Sequence, residues 1–234
     1  MHKYISHLIS RPMSYPDACR RLSYSPYITA RAEVHLTSVM CIEFCPKIAN
    51  KRFMEFVLQK TIALVGMMGA GKTAVGKALA ARLEVPFLDS DAEIEAAANR
   101  KIAEIFERDG EPFFRQKESL VIDRLLEGEP CVLSTGGGAF LADHNRAMMT
   151  QKGVSVWLDA DVSVLWGRVK HKDTRPLLRT PDPFQTLKDL HEKRAPIYQL
   201  ADIAVPSLEA YSIDDMTDHV ITALLKRPDV LRTK

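Results

Sequence analysis

Ile62-Ala63-Leu64-Val65-Gly66-Met67-Met68-Gly69-Ala70-Gly71-Lys72-Thr73 decides how the rest of this chain is read. Its last eight residues fit G-x-x-x-x-G-K-[ST], the phosphate-cradling P-loop. The four apolar residues before them suit a strand buried on both faces of a parallel sheet. After them Val75, Ala78, Leu79 and Leu83 recur at helical spacing, with Lys77 and Arg82 between, as in an amphipathic helix. Strand, glycine loop and helix together form the context this motif requires. The backbone at Gly69, Ala70, Gly71, Lys72, Thr73 and Ala74 is then expected to hold the phosphates of a nucleotide, through loop N–H groups and the helix N-terminus. Lys72 would reach the β- and γ-phosphates, and Thr73 would offer its hydroxyl to Mg²⁺.

Outward from this unit, apolar runs and amphipathic segments alternate from Glu55 onward, the pattern of an α/β domain with a mostly parallel sheet. Strands are expected at 85–88, 131–134, 154–158 and 202–205. Helices are expected over about 91–99, 101–108, 112–127, 161–168, 184–198 and 213–226. The breaker Asp109-Gly110-Glu111-Pro112 parts the second of these from the third.

Residues 1–54 read differently. Prolines at 12, 16, 26 and 46 interrupt them, and no apolar periodicity is sustained. They hold eight Lys/Arg against three acids, a net +5; the whole chain is +2, so residues 55–234 carry −3. The Arg/Ser-rich, acid-poor composition of 1–32 suits an organelle transit peptide. It suits equally well translated sequence ahead of a start at Met40 or Met54. There is no apolar h-region of a secretory signal. The expectation is a poorly ordered extension over 1–54 and a catalytic domain over 55–234.

At 46% apolar and 26% charged, the composition is that of a soluble globular protein. No apolar run approaches the ~20 residues of a membrane span. Cys19, Cys41, Cys45 and Cys131 show no paired metal spacing, so reduced thiols in the cytoplasm are expected. A nucleic-acid-binding domain carries its positive charge on the folded body. The mildly acidic body here argues against such a partner, and its modest size points to a monomer.

Asp89 and Asp91 stand at the carboxyl end of an expected parallel strand, the edge where open α/β sheets place ligands. Two apart in extended backbone, they would point the same way. Asp89 would orient Mg²⁺ through water and Asp91 would accept a proton from a substrate hydroxyl. Ser90-x-x-Glu93 also has the spacing of a capping box, in which Asp91 only favours the helix dipole; the two readings are compatible. The strand that should carry a metal-holding Asp ends instead in Ser134-Thr135-Gly136-Gly137-Gly138, which disfavours a motor ATPase. No Asn-Lys-x-Asp occurs, which disfavours a GTPase. Arg115, Arg175 and Arg194 are candidates for anion binding, because a guanidinium fork suits carboxylate and phosphate. Arg175 lies in a charged, Pro-bounded loop suited to a closing lid. His171 reads as a surface residue, and Trp157 and Trp166 read as packing.

Five further motifs follow the P-loop in order: Phe87-Leu88-Asp89-Ser90-Asp91, Gly110-Glu111-Pro112-Phe113-Phe114-Arg115, Ser134–Gly138, Arg175-Pro176-Leu177-Leu178 and Lys193-Arg194-Ala195-Pro196-Ile197-Tyr198. Together they resemble the shikimate kinase family, from about Thr61 to Ala210. The resemblance implies a three-layer P-loop NTPase fold of the nucleoside-monophosphate-kinase kind. Its five-stranded parallel sheet would be flanked by helices and topped by a mobile lid. It implies phosphorylation of the shikimate 3-hydroxyl by ATP, with Mg²⁺, in aromatic amino acid biosynthesis. Carried over by position, Asp91, Arg115, Gly137 and Arg194 would bind shikimate, while Thr73 and Asp89 would organise Mg²⁺. Lys72 and Arg175 would stabilise the transferring phosphoryl group, and Arg168 would lie over the adenine. The chain departs from the family in its long leader. It departs again after the last strand, where Pro206-Ser207-Leu208-Glu209 replaces a basic residue that often borders the adenine.

Overall fold

A computed structural model describes residues 55–171 and 176–234. The extension expected over 1–54, and Arg175 with the tip of the expected lid, lie outside these residues.

The sheet grows from the P-loop strand. Thr61–Val65 (β2) is wholly buried, and Ile62 to Val65 are each 0% exposed. It can be that apolar because it is central. Val132–Ser134 (β4) flanks it on one side and Gly153–Asp159 (β5) on the other, with Phe87–Asp89 (β3) and Ile203–Pro206 (β6) at the edges. All four pairings are parallel, giving the order β3-β4-β2-β5-β6. A central apolar strand is what a sheet covered on both faces demands. Truncating Leu64 to Ala in such a setting costs about 2–5 kcal/mol.

Helices supply the cover. Lys72–Leu83 (α1) packs on β3 and β4, and Ile213–Leu224 (α7) lies against α1 and β6. Asp143–Lys152 (α4) packs on β5 and against Ile102–Leu126 (α3). Ser90–Ala98 (α2) lies along α3, and Val162–Val169 (α5) along Pro183–Tyr198 (α6). The α3 segment is two helices abutting at Gly110, whose φ of 81° and ψ of 169° are not helical. The expected breaker therefore acts where the sequence places it.

One α-helix and one strand pair have no counterpart in the sequence reading. Helix α4 was not anticipated because one of its buried positions is polar: Asn145 shares the inner face with Met148 and Met149, and its amide donates to the Ala139 carbonyl at 2.9 Å. Phe56–Leu58 (β1) was left unassigned because its antiparallel partner is Leu231–Thr233 (β7), at the far end of the chain. Such a pair carries no local signature.

The register aligns the site. Leu64 and Asp89 both pair with Ser134, so three strands end level at the carboxyl edge. Thr135 then binds the Leu64 carbonyl through its N–H at 3.2 Å and its hydroxyl at 2.9 Å. That ties the glycine run to the start of the P-loop.

Candidate active site

Gly66, Gly69 and Gly71 all have positive φ (134°, 84° and 95°), the region that favours glycine. A Cβ on Gly69 would also stand 2.6 Å from Val169 Cγ1. The loop they shape opens onto the first turn of α1, within a cavity of about 520 Å³. Gly69 to Ala74 line it, with Asp89, Asp91, Gly136, Gly137 and Arg168. The Lys72 ammonium donates to the carbonyls of Gly66 (2.8 Å) and Met67 (3.1 Å), so it is held along the loop it serves.

Asp89 divides its two oxygens between the N-terminus of α2 and the P-loop helix. Oδ1 accepts from the N–H groups of Asp91 (3.1 Å) and Ala92 (3.4 Å), capping α2. Oδ2 accepts from the Thr73 hydroxyl at 3.3 Å, and that hydroxyl lies 3.5 Å from Ser134 Oγ. Two expectations are corrected here. The cap of α2 is Asp89, not Ser90; Ser90 is the first helical residue, fully buried, and its hydroxyl accepts from the Gly136 N–H at 3.1 Å. Asp89 and Asp91 also do not share extended backbone. The strand ends at Asp89, and the helical turn carries Asp91 away to face Gly136.

A Cβ on Gly136 would lie 2.7 Å from Asp91 Oδ1 and 3.1 Å from Glu118 Oε1, so a side chain there would displace the Asp91 carboxylate. At Gly138 a Cβ would stand 2.6 Å from the Arg115 guanidinium. The triple glycine is thus a surface against which one carboxylate and one guanidinium close. Arg115 donates to Glu118 at 2.8 Å and to Glu111 at 3.1 and 3.2 Å. Arg194 sits beside Tyr198, whose hydroxyl donates to the Gly137 carbonyl. Asp91, Arg115, Gly137 and Arg194 therefore gather round one short loop.

Glu118 was missed by the sequence reading. It is 1% exposed, and its Oε1 has no hydrogen-bond partner among the described residues. Burial pushes its pKa above the usual carboxylate value, the negative charges of Asp91 and Glu111 add to this, and Arg115 opposes it. The signal was present: Phe114, Glu118, Ile122 and Leu125 form the buried stripe of α3, and an acid on an apolar stripe is out of place.

At the far end, Arg168 Nη1 donates to Ser207 Oγ (3.3 Å) and toward the Ala70 (3.4 Å) and Gly69 (3.5 Å) carbonyls. Arg168 thus spans the P-loop and the segment after β6. Tyr211, Ile213 and Met216, which the sequence reading did not single out, complete that wall of the cavity. His171 is exposed, Trp157 is 6% exposed in the core, and Trp166 packs edge-on to Phe184, as expected of surface and packing residues. No helix among the described residues is long and apolar enough to cross a membrane.

The family model for shikimate kinase matches residues 68–225, which is more than half of the chain. The chain belongs to the shikimate kinase family. A shikimate kinase of Ruegeria pomeroyi is 68% identical over 174 residues, spanning 74% of this chain and 89% of that protein. One from Cereibacter sphaeroides is 66% identical over 176 residues, 75% of this chain and 88% of that protein. Among solved structures, shikimate kinase from Acinetobacter baumannii in complex with shikimate superposes with a TM-score of 0.67 at 38% identity, covering 71% of this chain and 93% of its own. The five-stranded parallel sheet expected from the resemblance is borne out. As a shikimate kinase family member, the chain is a phosphotransferase with an alcohol acceptor.

Proposed function

We propose that the site transfers the γ-phosphoryl group of ATP to the 3-hydroxyl of shikimate, yielding 3-phosphoshikimate and ADP, with its residues in the following roles. One observation carries the reading: the glycine surface between Asp91 and Arg115 abuts the P-loop. A Cβ at Gly137 would have the Gly66 carbonyl and the Met68 nitrogen each at 3.8 Å. Two anion-binding surfaces in contact bring a triphosphate and a carboxylated polyol into reach of each other. Phosphoryl transfer asks the protein chiefly for such alignment and for neutralisation of charge.

Gly69 to Ala74 hold the phosphates, with Lys72 moving from loop carbonyls onto the β- and γ-oxygens. Arg115 and Arg194 pair the acceptor carboxylate, while Gly137 and Asp91 bind its hydroxyls. Asp91 orients the attacking oxygen and takes its proton. Arg175, outside the described residues, joins Lys72 from the lid. Arg168 covers the adenine, with Tyr211 and Ile213 on the same wall.

The Thr73 hydroxyl and Asp89 Oδ2 fit Mg²⁺, being hard oxygen donors 3.3 Å apart at the start of α1. Two protein oxygens suffice for an ion that keeps several waters. When bound, it neutralises charge on the β- and γ-phosphate oxygens. The reading also places the chain in the cytoplasm as a monomer, which sedimentation at micromolar concentration checks.

An ADP-release assay with shikimate, gluconate and nucleoside monophosphates tests the acceptor, run on the full chain and on a version beginning at Met54. Turnover with shikimate alone, equal in both forms, is expected. Conversion of another alcohol with shikimate untouched would remove the assignment.

A further inference from the structure

Beneath the glycine run lies a buried aromatic stack that the roles above do not use. Phe140, Tyr198 and Trp157 are 1%, 1% and 6% exposed. Tyr198 is the middle member, with centroids 6.2 Å from each neighbour and planes tilted by 13° and 20°. Trp157 lies under the P-loop, where a Cβ on Gly66 would come 3.2 Å from its Cδ1. The Tyr198 hydroxyl reaches the other loop, donating to the Gly137 carbonyl. One packed stack therefore underlies both anion-binding loops.

We propose that Tyr198 is a positioning residue for the acceptor, its buried hydroxyl fixing the Gly137–Gly138 peptide and so the set of the whole glycine run. A trans peptide is planar, so holding the Gly137 carbonyl toward the aromatic core turns the Gly138 N–H the opposite way. The flanking glycines have their own ties. The Gly136 N–H donates to Ser90 Oγ at 3.1 Å, and the Gly136 and Gly138 carbonyls accept from the N–H groups of Ala139 and Leu141, each at 3.1 Å. The Tyr198 hydroxyl thus fixes the middle carbonyl of a run whose residues are otherwise conformationally permissive. Arg194 is four residues before Tyr198 on α6 and shares its helix face. Burial pushes the Tyr198 phenol up to about 12, against the opposing charge and hydrogen bond of Arg194 and the charge of Arg115. The hydroxyl thus keeps its proton, and its donor role, throughout the neutral range. The ring packs, and the hydroxyl aims.

This rests on the reading of Gly137 and Arg194 as acceptor ligands. The test compares Tyr198→Phe with Arg194→Lys in the full-length chain, measuring kcat, KM for shikimate, KM for ATP and melting temperature. Loss of one uncharged hydrogen bond predicts a rise of about fivefold to tenfold in KM for shikimate in Tyr198→Phe. KM for ATP should stay within about twofold, and both values should be flat from pH 6.5 to 9. A Tyr198→Phe enzyme with unchanged shikimate KM, beside an Arg194→Lys enzyme in which it rises, overturns the inference and leaves the acceptor site standing. No change in either variant overturns both. A lowered melting temperature with equal effects on both substrates makes Tyr198 a packing residue only and also overturns it.

Discussion

The two halves of the site are built by opposite means. The half proposed for the nucleotide is one contiguous stretch of backbone, shaped by three glycines at positive φ and the first turn of α1. The half proposed for the acceptor is assembled from side chains on α2, α3 and α6, closing on a glycine run that is itself almost featureless. A backbone site depends on loop conformation. A side-chain site depends on each rotamer being held by a neighbour. Substitutions in the two halves should therefore fail in different ways.

The largest effect is expected where the nucleotide half relies on a side chain. Lys72→Ala should lower kcat by about 10³-fold, because it removes the cation proposed to meet the transferring group. Single-turnover measurement checks this. Next, Asp91→Asn should cost about 10²–10⁴ in turnover by removing the proposed proton acceptor, with ATP affinity by calorimetry nearly unchanged. Loss of ATP binding in that variant would break the division between the halves. Third, Arg115→Lys should raise KM for shikimate by about tenfold to a hundredfold at constant KM for ATP, because an ammonium cannot reproduce the forked contact.

The smallest effect is one of stability. Glu118 has a folded-state pKa above its unfolded value, so the native state binds its proton more tightly. Its contribution is then fully present below the unfolded pKa and is lost as pH rises through the folded one. Glu118→Gln removes this penalty. The melting temperature of the variant minus that of the parent should rise from pH 4.5 to pH 8, as thermal scans would record. A difference that falls over that range would contradict the direction of the shift.

What the sequence disclosed follows the same division. The P-loop, its strand and its helix were legible because the motif is contiguous and its flanks carry the right periodicities. The breaker at Gly110 was legible because a glycine beside Pro112 has few alternatives. Asp91, Arg115 and Gly137 could be marked through family likeness, but nothing local said that Gly136 must accept Asp91 or that Gly138 must accept Arg115. Those contacts are made across α2, α3 and the β4 loop. The capping of α2 was misassigned because two candidate residues stand side by side, and the choice depended on where β3 ends. Glu118 was passed over, and Tyr198 was quoted only as the end of a motif, for a common reason. Each is a polar group whose importance comes from being buried, and burial is decided by partners remote in sequence.

The Lys234 N–H donates to the Glu55 carbonyl at 2.8 Å, and the two side chains form an ion pair at 3.0 Å. With residues 55 and 234 adjacent, a short linker could splice them, and new termini could be opened in an exposed turn such as that near Gly128. Such a circular permutant would retain both binding surfaces while freeing position 55 from any upstream segment.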